Sequence, residues 1–192
     1  MKKAEIDIQE LQKAAEQGNV VAQTQLGLWK WYRKAAEQGD AEAQTSLGFL
    51  YYNGEGVPQD DKEAVKWYRK AAELGDADAQ FNLGFMYGKG RGVPQDDKEA
   101  VKWFQRSAEQ GDSHAQFNLG VQYGKGQGVP KNPAIAYAWF NVAAMNGYDA
   151  IVNGEQEASE NRNLVAKEMT ADQIAEARAL STKFEKYQPK DN

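Results

Sequence analysis

Few side chains of this sequence could carry chemistry, and each has a competing structural role. His114 is the only histidine in 192 residues, and there is no cysteine. The missing cysteine removes thiolate nucleophiles, sulfur-ligated metals and disulfides. An imidazole works as a base or ligand only beside fixed partners, whereas His114 stands where Glu42 and Asp78 stand in related stretches. The runs "PQDDKEA" at 58–64 and 94–100 offer paired carboxylates. They lack the Asp-x-Asp-x-Asp-Gly spacing of a calcium loop, and Asp60 and Asp96 read better as helix N-caps. "GKGRG" (88–92) and "GKGQG" (124–128) lack the G-x-x-x-x-G-K-[ST] spacing of a phosphate loop. Trp31, Trp67, Trp103 and Trp139 could form an aromatic ladder for a ligand, but their helical register assigns them to a core. No catalytic residue, metal site or cofactor is expected.

The elements that position these residues come from repetition. "GVPQDDKEAVKW" occurs at 56–67 and again at 92–103, an offset of 36 residues. Full units span 41–76, 77–112 and 113–148, with Gln44, Gln80 and Gln116 in register, and likewise Leu47, Leu83 and Leu119. A period of this length means a stacked repeat array. Each unit reads as two helices. Ala79, Leu83 and Tyr87 fall on one face of the first. A glycine recurs inside that helix at 27, 48, 84 and 120, each costing about 1 kcal/mol relative to alanine. Such recurrence predicts a neighbouring helix too close for a Cβ.

The second helix should start at capping boxes formed by Asp60 with Glu63 and Asp96 with Glu99, and at Asn132-Pro133 in the third unit. It should end at Gly75, Gly111 or Gly147, with Asp76 and Asp112 capping the next helix. The fold class is therefore all-α: an α/α superhelix, or solenoid, of antiparallel hairpins. One repeat domain is expected over 1–190. It comprises a half-repeat (6–19), a shortened repeat (20–40), three full repeats, and a C-terminal loop with capping helices (149–187). In the last part a loop is expected around 151–156 before a helix from about 157, and "KYQPKDN" (186–192) should be frayed. Thr170 with Gln173 forms a further capping box, ahead of a stripe of Ile174, Ala177, Leu180, Phe184 and Tyr187.

The net charge of −5 argues against nucleic acid and anionic membranes as partners. No apolar run approaches the roughly 18 residues of a membrane helix, and the N-terminal residues lack the apolar core of a signal peptide. The compartment stays open between the cytoplasm and, where a leader is removed, the periplasm or exterior.

The pattern A-x-A-Q-x-x-L-G-x-x-Y-x-x-G-x-G-V-P…A-x-x-W-[YF]-x-x-A-A-x-x-G resembles the Sel-one-like repeat family, relatives of the tetratricopeptide repeats, over about residues 6–187. "MTADQIAEARAL" (169–180) is similar to the segment that closes such arrays. The resemblance implies a non-enzymatic adaptor, bacterial in origin, that binds a protein or peptide on a concave face lined by the first helices. Thr45, Ser46, Phe49, Phe81, Asn82, Phe85, Phe117, Asn118 and Val121 are the candidate groove residues. By resemblance, Asn82 and Asn118 would bond the backbone of an extended peptide. Cysteine-rich members of the family have been linked to β-lactams; here the absence of cysteine and of an S-x-x-K motif argues against that activity. A self-associating structural or regulatory module is the third reading.

The shortened repeat differs most from this pattern. "VAQTQLGLW" (21–29) runs directly into "KWYRKAAEQGD" (30–40), and the counterpart of residues 51–65 is missing. Only Gly27 interrupts the helical pattern, so one continuous helix about 27 Å long is expected over 21–38. Its apolar residues spread over about 220°, wider than one packing seam. Leu28, Trp29, Trp31 and Tyr32 are thus candidate contacts of a homodimer formed through the fused helix.

Overall fold

The computed structural model describes residues 8–148 and 157–188, so the loop expected at 151–156 lies outside the described residues. Among these, the secondary structure is ten α-helices. Two compact units, Met1–Gln95 and Asp96–Asn192, are described in turn. The first contains α1 (Ile8–Glu16), α2 (Val20–Glu37), α3 (Ala41–Asn53), α4 (Asp61–Leu74) and α5 (Ala77–Lys89). The second contains α6 (Asp97–Ala108), α7 (Ser113–Lys125), α8 (Pro133–Met145), α9 (Glu157–Lys167) and α10 (Ala171–Phe184).

The helix starts follow the predicted cap chemistry, but α6 and α8 are capped at Glu109 and Asn146, just before the expected Gly111 and Gly147. Asp40, Asp76 and Asp112 accept the backbone N–H of the third helical residue of α3, α5 and α7. Gly75 ends α4 in the left-handed conformation immediately before the Asp76 cap. The boxes at Asp60 and Asp96 close on one side only. Asp60 Oδ1 accepts from Lys62 N and Glu63 N, but the Asp60 N–H donates to Tyr51 O at 2.9 Å. Glu63 is therefore free to pair with Lys66, and Glu99 pairs with Lys102 in the same way. The box at Thr170 and Gln173 is reciprocal as predicted.

Two of the in-helix glycines, Gly48 and Gly120, sit against an aromatic ring, whereas the close neighbour expected at Gly27 is absent, with nothing within 4 Å of an added Cβ. A Cβ on Gly48 would lie 2.7 Å from Cδ1 and Cε1 of Tyr68, and one on Gly120 would lie 2.6 Å from the same atoms of Phe140. In α3–α4 and α7–α8, the glycine of the first helix is the seat for the ring of the second. A buried glutamine joins each hairpin to the helix before it. Gln44 Nε2 donates to Ala36 O at 3.0 Å, Gln80 Nε2 to Ala72 O at 3.1 Å, and Gln116 Nε2 to Ala108 O at 3.1 Å. Each carbonyl lies in the last turn of its helix and also accepts from the backbone N–H of Gly39, Gly75 or Gly111, so the glutamine supplies its second donor.

The fused helix is continuous over Val20–Glu37, with no turn between Trp29 and Trp31. Its inner seam, Ala22, Leu26, Trp29 and Ala36, joins Leu11, Leu47, Val57 and Trp67 in the core of the first unit. The tryptophan series is core at Trp67, Trp103 and Trp139. The expectation fails at Trp31, which is 65% exposed. Its repeat lost the turn that folds the second helix back onto the first, so Trp31 has no hairpin partner.

In the second unit, α9 begins where a helix was expected and packs on α8, with Arg162 Nη1 donating to Asn141 Oδ1 at 2.9 Å. On α10, Ala177 is buried and Phe184 stacks on Trp139 at 4.4 Å. Of the segment expected to fray, residues 189–192 lie outside the described residues, and Tyr187 is held in place. Its carbonyl accepts from Gln116 Nε2 (3.0 Å) and Asn146 Nδ2 (2.8 Å).

Candidate binding surface

Of the proposed contact residues in the first unit, Phe49 is the most exposed, at 49%. Thr45 is engaged within the fold, its hydroxyl donating to Asp76 Oδ1 at 2.9 Å, and Ser46 is half-buried. Phe81, Asn82 and Phe85 on α5 are half-buried. The Phe85 ring meets Tyr52 edge-on at 6.4 Å, with Lys89 Nζ 5.9 Å from its centroid. Arg91 lies 4.1 Å from the Tyr52 ring and forms a two-point ion pair with Asp61 (3.0 and 2.6 Å). That pairing holds the Arg91 guanidinium above its usual pKa. Phe85 was among the expected contacts, but the Arg91–Asp61 pairing was not legible, because the two residues are 30 apart and only the stacking of repeats joins them.

In the second unit, α7, α8 and α9 enclose a cleft of about 630 Å³. Phe117, Gly120, Val121 and Phe140 form its floor, with Leu164 and Val165 on the α9 side. Phe117 does not project as a free anchor. It is 9% exposed, stacked on Tyr148 with centroids 4.3 Å apart and tilted against Phe140. Val121 is half-buried at the cleft floor. Asn118 donates its Nδ2 to His114 O at 2.8 Å, a bond within its own helix. His114 meets the Tyr148 ring edge-on at 5.4 Å.

The rim of the cleft carries Lys125, Lys131 and Lys167 together with Glu157, Asn161 and Glu168. An apolar floor under a polar rim with more cations than anions suits a chain segment that brings an apolar side chain and a carboxylate. The α9 contribution was not readable beforehand, because its sequence carries no repeat pattern.

Of the four proposed dimer residues, Leu28 and Trp31 face outward, while Trp29 is buried and Tyr32 is half-buried against the core. Among the described residues no group of three or more His, Asp or Glu side chains could hold a metal ion. No described helix is long and apolar enough to cross a membrane.

Comparison with known proteins places the fold. The Sel1 repeat model matches residues 11–19, 29–40, 41–76, 77–112 and 113–148. A protective antigen present in uropathogenic Escherichia coli strains, displaying an SLR fold, is similar with 34% identity and a TM-score of 0.62. The alignment covers 95% of this chain and 49% of that one, so this chain spans about half the length of the antigen. A Sel1 repeat protein from Oxalobacter formigenes is similar with 39% identity and a TM-score of 0.59, covering 69% of this chain and 94% of that one. No curated protein matches significantly. With the repeat pattern running through more than half of the sequence and hairpins to match, this chain belongs to the Sel1 repeat family.

Proposed function

We propose that the chain is a non-catalytic protein–protein interaction scaffold that holds a peptide segment of its partner in the cleft of the second unit. Sel1 repeat proteins are generally interaction scaffolds, which supports the class of function. The observation that carries the finer reading is the cleft itself. Its floor includes Phe117 and Val121, first-helix positions where a ligand was expected, completed by Phe140 of α8, and α9 supplies its wall. Apolar anchoring would come from Val121, Leu164 and Val165, and the lysines of the rim would engage carboxylates. Ser46, Phe49, Phe81, Asn82 and Phe85 form a separate proposed contact surface belonging to the first unit. The reading requires no metal, cofactor or nucleic acid.

The test compares the wild-type chain with Val121→Arg and Leu164→Arg in affinity capture, followed by titration of the identified partner. Loss of binding in both variants, with unchanged helical content, supports the cleft. Full binding by both variants overturns it.

A further inference from the structure

The outward face of α2 carries Val20, Thr24, Gly27, Leu28 and Trp31, spaced by three and four residues along one stripe and all exposed. Val20, Val21, Leu28 and Trp31 are among the most exposed large apolar side chains of the described residues. No atom lies within 4 Å of a Cβ built on Gly27, unlike its register partners Gly48 and Gly120, which each seat an aromatic ring. The fused helix therefore keeps an open glycine seat and an uncovered ring, Trp31, next to the half-buried Tyr32 that stands in register with Tyr68. A straight helix cannot bring them together within one chain.

We propose that two copies of the chain pair antiparallel through α2, with Trp31 of each copy entering the hole formed by Thr24, Gly27, Leu28 and Trp31 of the other. Residues at i, i+3, i+4 and i+7 form the four-sided hole that receives a side-chain knob between packed helices. Gly27 leaves room for the indole, as Gly48 does for Tyr68. The contact is reciprocal about a two-fold axis near residue 29, so it closes at a dimer.

Charge selects the same arrangement. Residues 20–29 contain no charged side chain, whereas Lys30, Arg33, Lys34 and Glu37 lie in the second half. Antiparallel pairing sets each cationic half beside a neutral one, while parallel pairing would oppose like charges. The exposed apolar side chains of the stripe, Val20, Leu28 and Trp31, offer roughly 350 Å² per copy, so the pair hides roughly 700 Å² of them, the size of a weak, reversible interface. The inference is independent of the cleft.

Sedimentation velocity on the full chain from about 1 μM to about 500 μM tests it, a range suited to an interface of this size. The wild type should pass reversibly from monomer to dimer. Trp31→Glu removes the knob, and Gly27→Leu fills the hole while adding apolar surface. Each should weaken pairing by about tenfold or more, with helical content unchanged by circular dichroism. A wild type that stays monomeric, or assembles beyond a dimer, overturns the proposal. So does a Gly27→Leu variant that pairs as tightly as the wild type, since stickiness alone would then suffice.

Discussion

Substituting alanine for the in-helix glycines should give opposite signs at matching positions of neighbouring repeats. Two terms compete. Alanine is about 1 kcal/mol better than glycine inside a helix. Against that, an added methyl in a packed site costs about 1–3 kcal/mol. At Gly27 the Cβ meets nothing within 4 Å, so only the first term acts, and Gly27→Ala should stabilise by about 0.5–1 kcal/mol. At Gly48 the Cβ would sit 2.7 Å from two atoms of Tyr68, a ring only 1% exposed and unable to retreat. With the ring fixed the second term takes its upper range, and Gly48→Ala should destabilise by up to about 2 kcal/mol net. Both positions lie in the first unit, so one unfolding transition reports both. Thermal and urea unfolding should be read at about 1 μM, where self-association adds little. At about 2–4 °C per kcal/mol for a chain of this size, the two midpoints should separate by several degrees on either side of the wild type. If Gly48→Ala stabilises as Gly27→Ala does, the ring seat is not why the glycine is there.

Three further outcomes follow from particular contacts. A Cβ on Gly92 would lie 2.2 Å from Asp61 O, and one on Gly128 would lie 2.2 Å from Asp97 O, both at positive φ. Gly92→Ala and Gly128→Ala should each cost about 3 kcal/mol or more in urea denaturation. Gly56→Ala should cost only about 1–2 kcal/mol, the cost of a left-handed alanine, because its nearest neighbours on Gln25 stand at 3.2 Å; equal losses at the three sites would contradict this ranking. Burial pushes the Tyr68 phenol up, so its contribution is complete below the unfolded tyrosine value of about 10 and is lost as pH rises above it. Tyr68→Phe should therefore lose less stability than the wild type between about pH 9 and about pH 12, and parallel curves would count against the burial argument. Gln116→Leu removes donors to Ala108 and Tyr187 and an acceptor for Asn146. It should cost about 2–3 kcal/mol and speed hydrogen exchange across α10, an effect that Gln80→Leu should not reproduce.

The sequence disclosed what local chemistry decides. The caps at Asp76, Asp112, Asn132 and Thr170, the unbroken α2 and the close approach at Gly48 and Gly120 were all readable from residue type and period, though not the rings that make that approach nor its absence at Gly27. It was silent where a contact joins distant segments. Phe117 has the same register as Phe81, yet Tyr148 stacks on it and closes it off. Trp31 has the same register as Trp67 but lost its cover with the missing turn. The recurring glutamines were visible as a pattern, but their role was not. A carbonyl eight residues upstream becomes a partner only after the chain has turned between helices. Helical period assigns a residue to a face; which neighbour covers that face depends on packing that the period does not encode.

The central claim, that the cleft of the second unit receives a partner, is tested most directly by a photo-crosslinking amino acid at Val121 in the cells that produce the protein. A control carries the same group at Lys66, exposed on α4 of the first unit. The account predicts one discrete adduct from Val121, lost on adding Leu164→Arg, and none of the same mass from Lys66. No adduct from Val121, or the same adduct from both positions, would contradict it.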